Sequence, residues 1–334
     1  MAMRFFEQQT RARAQTVRLL VLFVITLVAL LMAVNAALAL MWFLLPFSGG
    51  YPAYFFTVNT AMTVLFVLGG WWLESAALSG GAAVLASRAG AREVRPSVHA
   101  AEQLLCNIVS ELAIASSLPA PTPMVLARAY SINAFACGWT THDAVVAVTQ
   151  GALDHLSRDE LQGLVAHEFS HIREGDTRLN MHLAGMVFGL EMIFNLGTTL
   201  CEKNEAGAYS ILVIPGLAIK ASGALGWLAG RALSAAVSRQ REFLADARAV
   251  QFTRSKDGLG GVLRKVASQQ GDPMHEPRAI HPCVKHMLLV GPDGGAHWFD
   301  SHPPLAERIR RIYGRPMPAM RLDDGAPTRP TGVF

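Results

Sequence analysis

From Leu19 to Phe47 the chain reads LLVLFVITLVALLMAVNAALALMWFLLPF without a charge. That run is longer than the roughly 20 residues a helix needs to cross the hydrocarbon core of a bilayer, and it predicts a transmembrane helix. A signal peptide is the competing reading, because arginines precede the run and AALA offers small residues, but a signal core of about 7–15 residues is much shorter. A second apolar run, Tyr54 to Ala77, follows the uncharged turn SGGYP and carries Trp71 and Trp72 near its far end, where an interfacial belt places them. The two runs predict a transmembrane hairpin over residues 19–78, with helices about 19–47 and 54–77. Two later stretches, Met181 to Leu200 and Tyr209 to Ala236, flank CEKNEAGA, and each is interrupted by one ionisable residue, Glu191 and Lys220. Such a group inside a membrane costs a few kcal/mol unless it is paired or faces a cavity. The stretches are therefore either long buried or half-inserted helices, or a second hairpin over about 181–236 in which Glu191 and Lys220 meet at similar depth.

Between the apolar runs the pattern changes period. In PSVHAAEQLLCNIVSELAIASSL the positions Leu104, Leu105, Ile108, Val109 and Leu112 recur as on an amphipathic helix, which PAPTP ends. MVLARAY, INAFACGW and AVVAVT are short β-favouring runs separated by turn residues, and they predict a small antiparallel sheet. LSRDELQGLVAHEFSHI opens with Ser157 three residues before Glu160, a capping-box pattern, and then repeats apolar residues at Leu161, Leu164 and Val165. Helices are also expected at SAAVSRQREFLADARAVQFT and at PPLAERIRRIYG, the latter with Leu305, Ile309 and Ile312 on one face. The Gly-, Pro- and His-rich stretch Gly271 to Asp300 reads as a loop, and the Pro-rich polar tail at 315–334 is not expected to fold.

Composition agrees with a membrane protein that has a sizeable aqueous part: 51% of residues are hydrophobic, 16% are charged, and mean hydropathy is positive. The net charge of +4 forms no basic stripe interleaved with aromatics, so nucleic acid is excluded as a partner class. Cys106, Cys137, Cys201 and Cys283 are far apart without a C-x-x-C pair, which suggests neither a thiolate metal site nor a disulfide framework. Reduced thiols in a cytosol-facing domain fit best, with pairing among the four left open. Arg4, Arg11, Arg13 and Arg18 precede the first apolar run, Arg88, Arg92 and Arg95 follow the second, and the connecting turn has none. Segment 1–18 and both ends of the hairpin are accordingly expected in the cytoplasm.

The stretch LVAHEFSHIREGD carries the chemistry. His167 and His171, four apart on a helix, lie on one face and can aim both imidazoles at one metal ion. Glu168 is rotated by about 100° from His167 and can reach a water on that metal without ligating it. Zinc held by three protein ligands keeps an open position, lowers the pKa of its water to about 7 and polarises a substrate carbonyl. Glu168 then acts as general base and passes the proton to a leaving amine. The plain alternative is a chance arrangement on an ordinary amphipathic helix, so a third ligand is needed. The residues after His171, IREGDTRLNMH, hold no histidine at the H-x-x-G-x-x-H spacing. Glu242 in SRQREFLADARA is the better candidate, and Asp246 four residues on could hold a ligand histidine by its other N–H. Otherwise both are exposed members of a charged face with Arg239, Arg241 and Arg248. His275, His281, His286, His297 and Cys283 fit the spacing of no zinc module and read as a surface loop.

INAFACG, LVAHEFSHIREGDTRLN, SRQREFLADARAV and SHPPLAERIRRI, in that order with an apolar hairpin between the second and third, resemble the membrane-bound zinc metallopeptidases typified by HtpX and the CAAX prenyl endopeptidases. The resemblance covers about residues 97 to 313. It implies one Zn2+ per chain on His167, His171 and Glu242, with Glu168 as general base and Asp246 as partner of a ligand histidine. It implies that Asn133, Ala134 and Phe135 belong to an edge strand that pairs with extended substrate, the alternative being an ordinary core strand. His302 is implied near the metal as an oxyanion stabiliser, or else it only shapes the turn before Pro303 and Pro304.

The expected fold is therefore α+β and mainly helical: an integral membrane protein with two apolar helical hairpins and a zincin-like metallopeptidase domain, 97–313, interrupted by the hairpin at 181–236. The arginine bias places the site and termini of this multi-pass inner-membrane protein in the cytoplasm. The apolar hairpin between the ligands points to membrane or membrane-proximal polypeptides as substrates, and the resemblance implies protein quality control. A prenyl-protein processing peptidase would share the chemistry but would carry more membrane helices. A non-catalytic zinc-binding scaffold would not need Glu168, and a transporter using Glu191 and Lys220 would have little bundle to work with.

Overall fold

The computed structural model describes residues 2–44, 49–203, 207–269, 287–289 and 302–322. Most of the His-rich loop, with His275, His281, Cys283, His286 and His297, lies outside the described residues, as does the tail from 323. The elements are α1 (Ala2–Leu44), α2 (Phe55–Leu78), α3 (Ala82–Arg88), β1 (Arg92–Glu93), α4 (Ala100–Ser116), β2 (Thr122–Leu126), β3 (Ala134–Cys137), β4 (Val145–Thr149) and α5 (Gln150–His155). They continue with α6 (Arg158–Glu174), α7 (Asp176–Leu200), α8 (Val213–Thr253), α9 (Lys256–Gln269) and α10 (Leu305–Tyr313). The chain divides into two compact units, Met1–Ser79 with His182–Ser234, and Gly80–Met181 with Ala235–Phe334.

The first unit is built from apolar helices. Leu20–Leu44, Phe55–Leu78, Asp176–Leu200 and Val213–Gly230 are each long and apolar enough to cross a membrane. Val24, Ile25, Met32, Leu65, Ile214 and Leu217 are more than half exposed, a distribution that suits hydrocarbon rather than water as solvent. Inside, Phe23, Leu30 and Val34 of α1 pack with Val67 of α2 and with Met186, Leu190 and Ile193 of α7. Asn35 Nδ2 donates across the first helix pair to Thr60 Oγ1 at 3.0 Å. α7 and α8 approach through glycines: a Cβ on Gly197 would lie 2.3 Å from the Lys220 nitrogen, and one on Gly223 would lie 2.5 Å from the Phe194 nitrogen. This register sets Lys220 opposite Gly197, about 9 Å along the axis from Glu191 at 1.5 Å rise per residue. The similar depth inferred by counting residues from the loop is thus shifted, and Lys220 Nζ lies 5.6 Å from the centre of the Phe194 ring.

The second unit holds a four-stranded sheet in the order β1-β2-β4-β3. The expected antiparallel sheet is corrected to a mixed one, because β2 pairs parallel to β4 while β1–β2 and β3–β4 are antiparallel. After β2 the chain turns at Leu126–Ala129 and runs outward to form β3 at the edge, and β4 then returns between β3 and β2 in the direction of β2. The polarity was hidden because every residue of β3 and β4 is buried, so the alternation that marks a one-sided sheet is missing. Of MVLARAY only the part up to Leu126 is strand, and Tyr130 is exposed. Leu105, Ile108 and Leu112 of α4, Val146 and Val148 of β4, Leu161, Leu164 and Val165 of α6, and Leu259, Val262 and Leu263 of α9 form one core.

Candidate metal centre

α6 begins with the capping box that the sequence announces: Ser157 N–H donates to Glu160 Oε2 at 2.8 Å, and Glu160 N–H donates to Ser157 Oγ. The same carboxylate receives Lys265 Nζ of α9 at 2.8 Å, and that fully buried ammonium also donates to the His155 carbonyl. Leu161, Leu164, Val165 and Phe169 anchor the apolar face of α6 in the core. This fixes the rotation of the helix and so the direction in which His167 and His171 point. Gly175, at φ 75°, ends α6 in the left-handed conformation that suits glycine, and α7 starts at the next residue.

The two Nε2 atoms of His167 and His171 lie 3.2 Å apart. Glu242 Oε2 is 3.6 Å from His167 Nε2, and Glu242 Oε1 is 3.6 Å from His171 Nε2. Ligands about 2.0–2.1 Å from a tetrahedral metal stand about 3.3–3.4 Å from one another, so these donors are spaced as three corners of a tetrahedral metal site. They are the group of metal-capable side chains found among the described residues. Glu242 and Asp246 are 4% and 3% exposed, which rules out the solvated charged face as their setting. Of its proposed companions, Arg241 and Arg248 are engaged with Asp176 and Glu174, and the side chain of Arg239 is not described.

Each histidine has a carboxylate behind it. His167 Nδ1 lies 3.1 Å from Asp246 Oδ1, and His171 Nδ1 is hydrogen-bonded to Asp176 Oδ2 at 3.0 Å. Arg308, wholly buried, donates through Nε and Nη2 to the two oxygens of Asp246 at 2.9 and 2.7 Å and lies 3.3 Å from Glu242 Oε2. His302 Nδ1 is also 3.3 Å from Glu242 Oε2. Glu242 and Asp246 face the guanidinium of Arg308, and Asp176 faces that of Arg241.

The electrostatics follow from this crowding. Burial opposes charge on His167, but Asp246 and Glu242 outweigh it and raise its pKa to about 9. Burial likewise opposes charge on His171, and the hydrogen bond that it donates to Asp176 outweighs it, so this pKa is also raised. Burial would lift Glu242, yet His302, Arg308 and His167 hold it well below the usual carboxylate range. Asp246 is lowered against the same penalty by Arg308 and His167. Glu168 goes the other way, and burial dominates in raising its pKa.

Asn133, Ala134 and Phe135 stand at and before the start of β3, the outer strand, with all three side chains buried. The strand is an edge, while its side chains belong to the interior. Part of that edge is already engaged, since Leu289 N–H donates to the Ala134 carbonyl at 3.0 Å. Ala136, two residues on, lines a small polar cleft with Glu168, His171, Glu242 and Met287. The structure therefore brings His167, Glu168, His171, Glu242, Asp246 and His302 together beside the strand. The sequence reading missed Asp176, Arg241 and Arg308. Arg308 had a signal: it falls on the apolar face of α10 between Leu305 and Ile309, where an unpartnered cation would be too costly. Asp176 had only its place after the glycine that breaks the helix.

The family described as Peptidase family M48 matches residues 99–315. A protein named Protease HtpX homolog from Ligilactobacillus salivarius is 36% identical over 221 residues, covering 62% of this chain and 72% of that relative. A protein of the same name from Streptococcus gordonii is 30% identical over 319 residues, 92% of this chain and 98% of the relative. The crystal structure of S. mikatae Ste24p superimposes over 93% of this chain with a TM-score of 0.41 and 16% identity, and the chain spans 65% of that protein's length. The family match takes in both histidines, Glu242 and α10, and the longer alignment takes in the apolar helices as well. The chain belongs to peptidase family M48 and is a multi-pass, membrane-bound metalloprotease.

Proposed function

We propose that the chain is a zinc endopeptidase that cleaves membrane or membrane-proximal polypeptides, with protein quality control as its biological setting. The observation that carries the reading is the triangle of His167 Nε2, His171 Nε2 and the Glu242 carboxylate, spaced at 3.2 and 3.6 Å. These three residues would hold one zinc ion. Bound there, zinc would supply a Lewis acid that polarises the scissile carbonyl and acidifies a water molecule.

The remaining steps belong to the chain. Glu168 Oε1 is buried and has no hydrogen-bond partner among the described residues, so it is available to a water in the cleft. Burial raises its pKa, which suits a carboxylate that takes a proton from water and hands it to the leaving amine. Asp246, held by Arg308, orients His167. His302, whose ring nitrogens are buried beside Glu242, would donate to the oxyanion that develops on the substrate. Substrate backbone would add to the β3 edge, where the period-2 geometry that turns the Ala134 carbonyl outward turns the Ala136 peptide the same way, into the cleft. The catalytic domain is assigned to 97–313 with the hairpin at 181–236 inserted, the first hairpin to 19–78, and the site and both termini to the cytoplasmic side on the arginine bias.

The test is cleavage of casein and of a model membrane substrate by the purified full-length protein, with zinc content measured in parallel. Glu168→Gln should keep its zinc and lose at least roughly two orders of magnitude in rate, the size of a general-base contribution. Equal activity would overturn the mechanism. Glu242→Ala should lose zinc, and unchanged metal content would remove Glu242 from the ligand set.

A further inference from the structure

The residue that follows the histidine helix is an aspartate with both oxygens engaged. Asp176 Oδ2 accepts from His171 Nδ1 at 3.0 Å, and Oδ1 lies 2.7 Å from Arg241 Nη1. Asp176 is 6% exposed and Arg241 retains 14% of its side-chain surface. Had α6 simply continued, a residue five positions beyond His171 would be rotated by about 140° away from it. Gly175 removes that obstacle, since its φ of 75° breaks the helix and lets the first residue of α7 turn back onto the imidazole. Arg241 reaches Asp176 from α8, one residue before Glu242.

We propose that Asp176, clamped by Arg241, is a positioning residue for His171: it accepts a hydrogen bond from Nδ1–H, fixes the ring rotation and leaves the Nε2 lone pair aimed at His167 Nε2 and Glu242. The inference rests on the zinc reading above. A neutral imidazole has two interchangeable nitrogens, and without a partner at Nδ1 either could carry the proton. With Asp176 in place only one tautomer fits, and Nε2 is the atom within 3.6 Å of both other donors. A merely structural aspartate at the start of α7 would be served by Arg241 and the helix dipole alone and would have no need of the imidazole.

The experiment titrates zinc into the metal-stripped, full-length protein in detergent against a chromogenic chelator, with unfolding of the metal-free protein followed alongside. Asp176→Ala should weaken zinc affinity roughly 10–100-fold, the usual effect of removing a carboxylate behind a ligand histidine. Arg241→Met, which leaves Asp176 on the imidazole, should weaken it distinctly less. Unchanged affinity in Asp176→Ala overturns the inference, and so does an equal loss in the two variants, because the ion pair and not the imidazole contact would then be what matters. Should Asp176→Ala fail to fold, Asp176→Asn is read instead, as the cobalt-substituted protein. A shifted visible band supports the role, and a wild-type spectrum with wild-type affinity overturns it. Glu242→Ala separates the two levels. If it keeps its metal, the ligand set of His167, His171 and Glu242 fails, whereas loss in Glu242→Ala without loss in Asp176→Ala sinks this inference alone.

Discussion

The two histidines of the candidate metal centre sit in settings that match in chemistry and differ in construction. Behind His167 stand Asp246 and then Arg308, and behind His171 stand Asp176 and then Arg241. The first chain of contacts is sealed, with His167 and Arg308 both at 0% exposure and the guanidinium forked onto Asp246. The second reaches the cleft wall, which Asp176 and Arg241 both line, with Arg241 Nη1 2.7 Å from Asp176 Oδ1. The first is assembled by long-range packing of α6, α8 and α10, while half of the second comes from a turn immediately after the histidine helix. The same carboxylate–arginine device is therefore sealed in the interior on one side and partly exposed at the cleft on the other.

The sharpest way to break this comparison is Arg308→Met. Removing one member of a buried ion pair costs about 3–5 kcal/mol, because its partner stays desolvated and unpaired. Here two carboxylates, Asp246 and Glu242, lose the same cation. The metal-free variant should unfold at a much lower temperature than wild type, and added zinc should restore more of the difference than it adds to wild type, since a divalent cation replaces the missing charge. Thermal unfolding with and without zinc reads both effects. An equal zinc increment in the two proteins would mean that Arg308 does not balance the site.

The next effect is on pH, and it concerns the sealed side most. With its pKa raised to about 9, metal-free His167 holds a proton at neutral pH that zinc must displace. Competition with that proton should make zinc affinity climb by up to about tenfold per pH unit as pH rises toward about 9 and level off above. The sign for the metal-free fold is opposite: the raised pKa contributes stability that is full below the unfolded value of 6.5 and is lost as pH rises through about 9. Calorimetry in buffers of different ionisation heat counts the protons released. Flat affinity across that window would contradict a charged His167.

How much of this was legible in the sequence divides along the same line. His167, Glu168 and His171 are readable because helix period and metal chemistry point to the same residues, and Ser157 with Glu160 marks where the helix starts. Glu242 and Asp246 are reached by asking which downstream carboxylates could complete a ligand set. Arg308 and Arg241 escape because pattern reading assigns charges to solvent, although Arg308 sits between two apolar residues on one helix face. Asp176 escapes because a helix extrapolated past Gly175 carries it away from His171. The sheet's polarity and the offset of Lys220 escape for another reason. Both depend on which segments meet in space, and neither a strand buried on both faces nor a glycine contact between helices leaves a period to count.

The smallest effect should come from the open side, in the stability of Arg241→Met. Its side chain keeps 14% of its surface, with Nη1 2.7 Å from Asp176 Oδ1. The pair is thus less sealed than Arg308–Asp246, and its loss should cost less than the about 3–5 kcal/mol of a fully buried pair. Asp176 keeps His171 as a second partner when Arg241 is gone, whereas Asp246 without Arg308 keeps, among the described residues, His167. The metal-free Arg241→Met protein should therefore unfold within a few degrees of wild type, and raising the salt concentration should shrink the gap further, as screening does for partly exposed charges but much less for buried ones. Arg308→Met should show no comparable salt response. If Arg241→Met proved as destabilising as Arg308→Met, and as indifferent to salt, the two arms of the site would be equally sealed and the distinction between interior and cleft would fail.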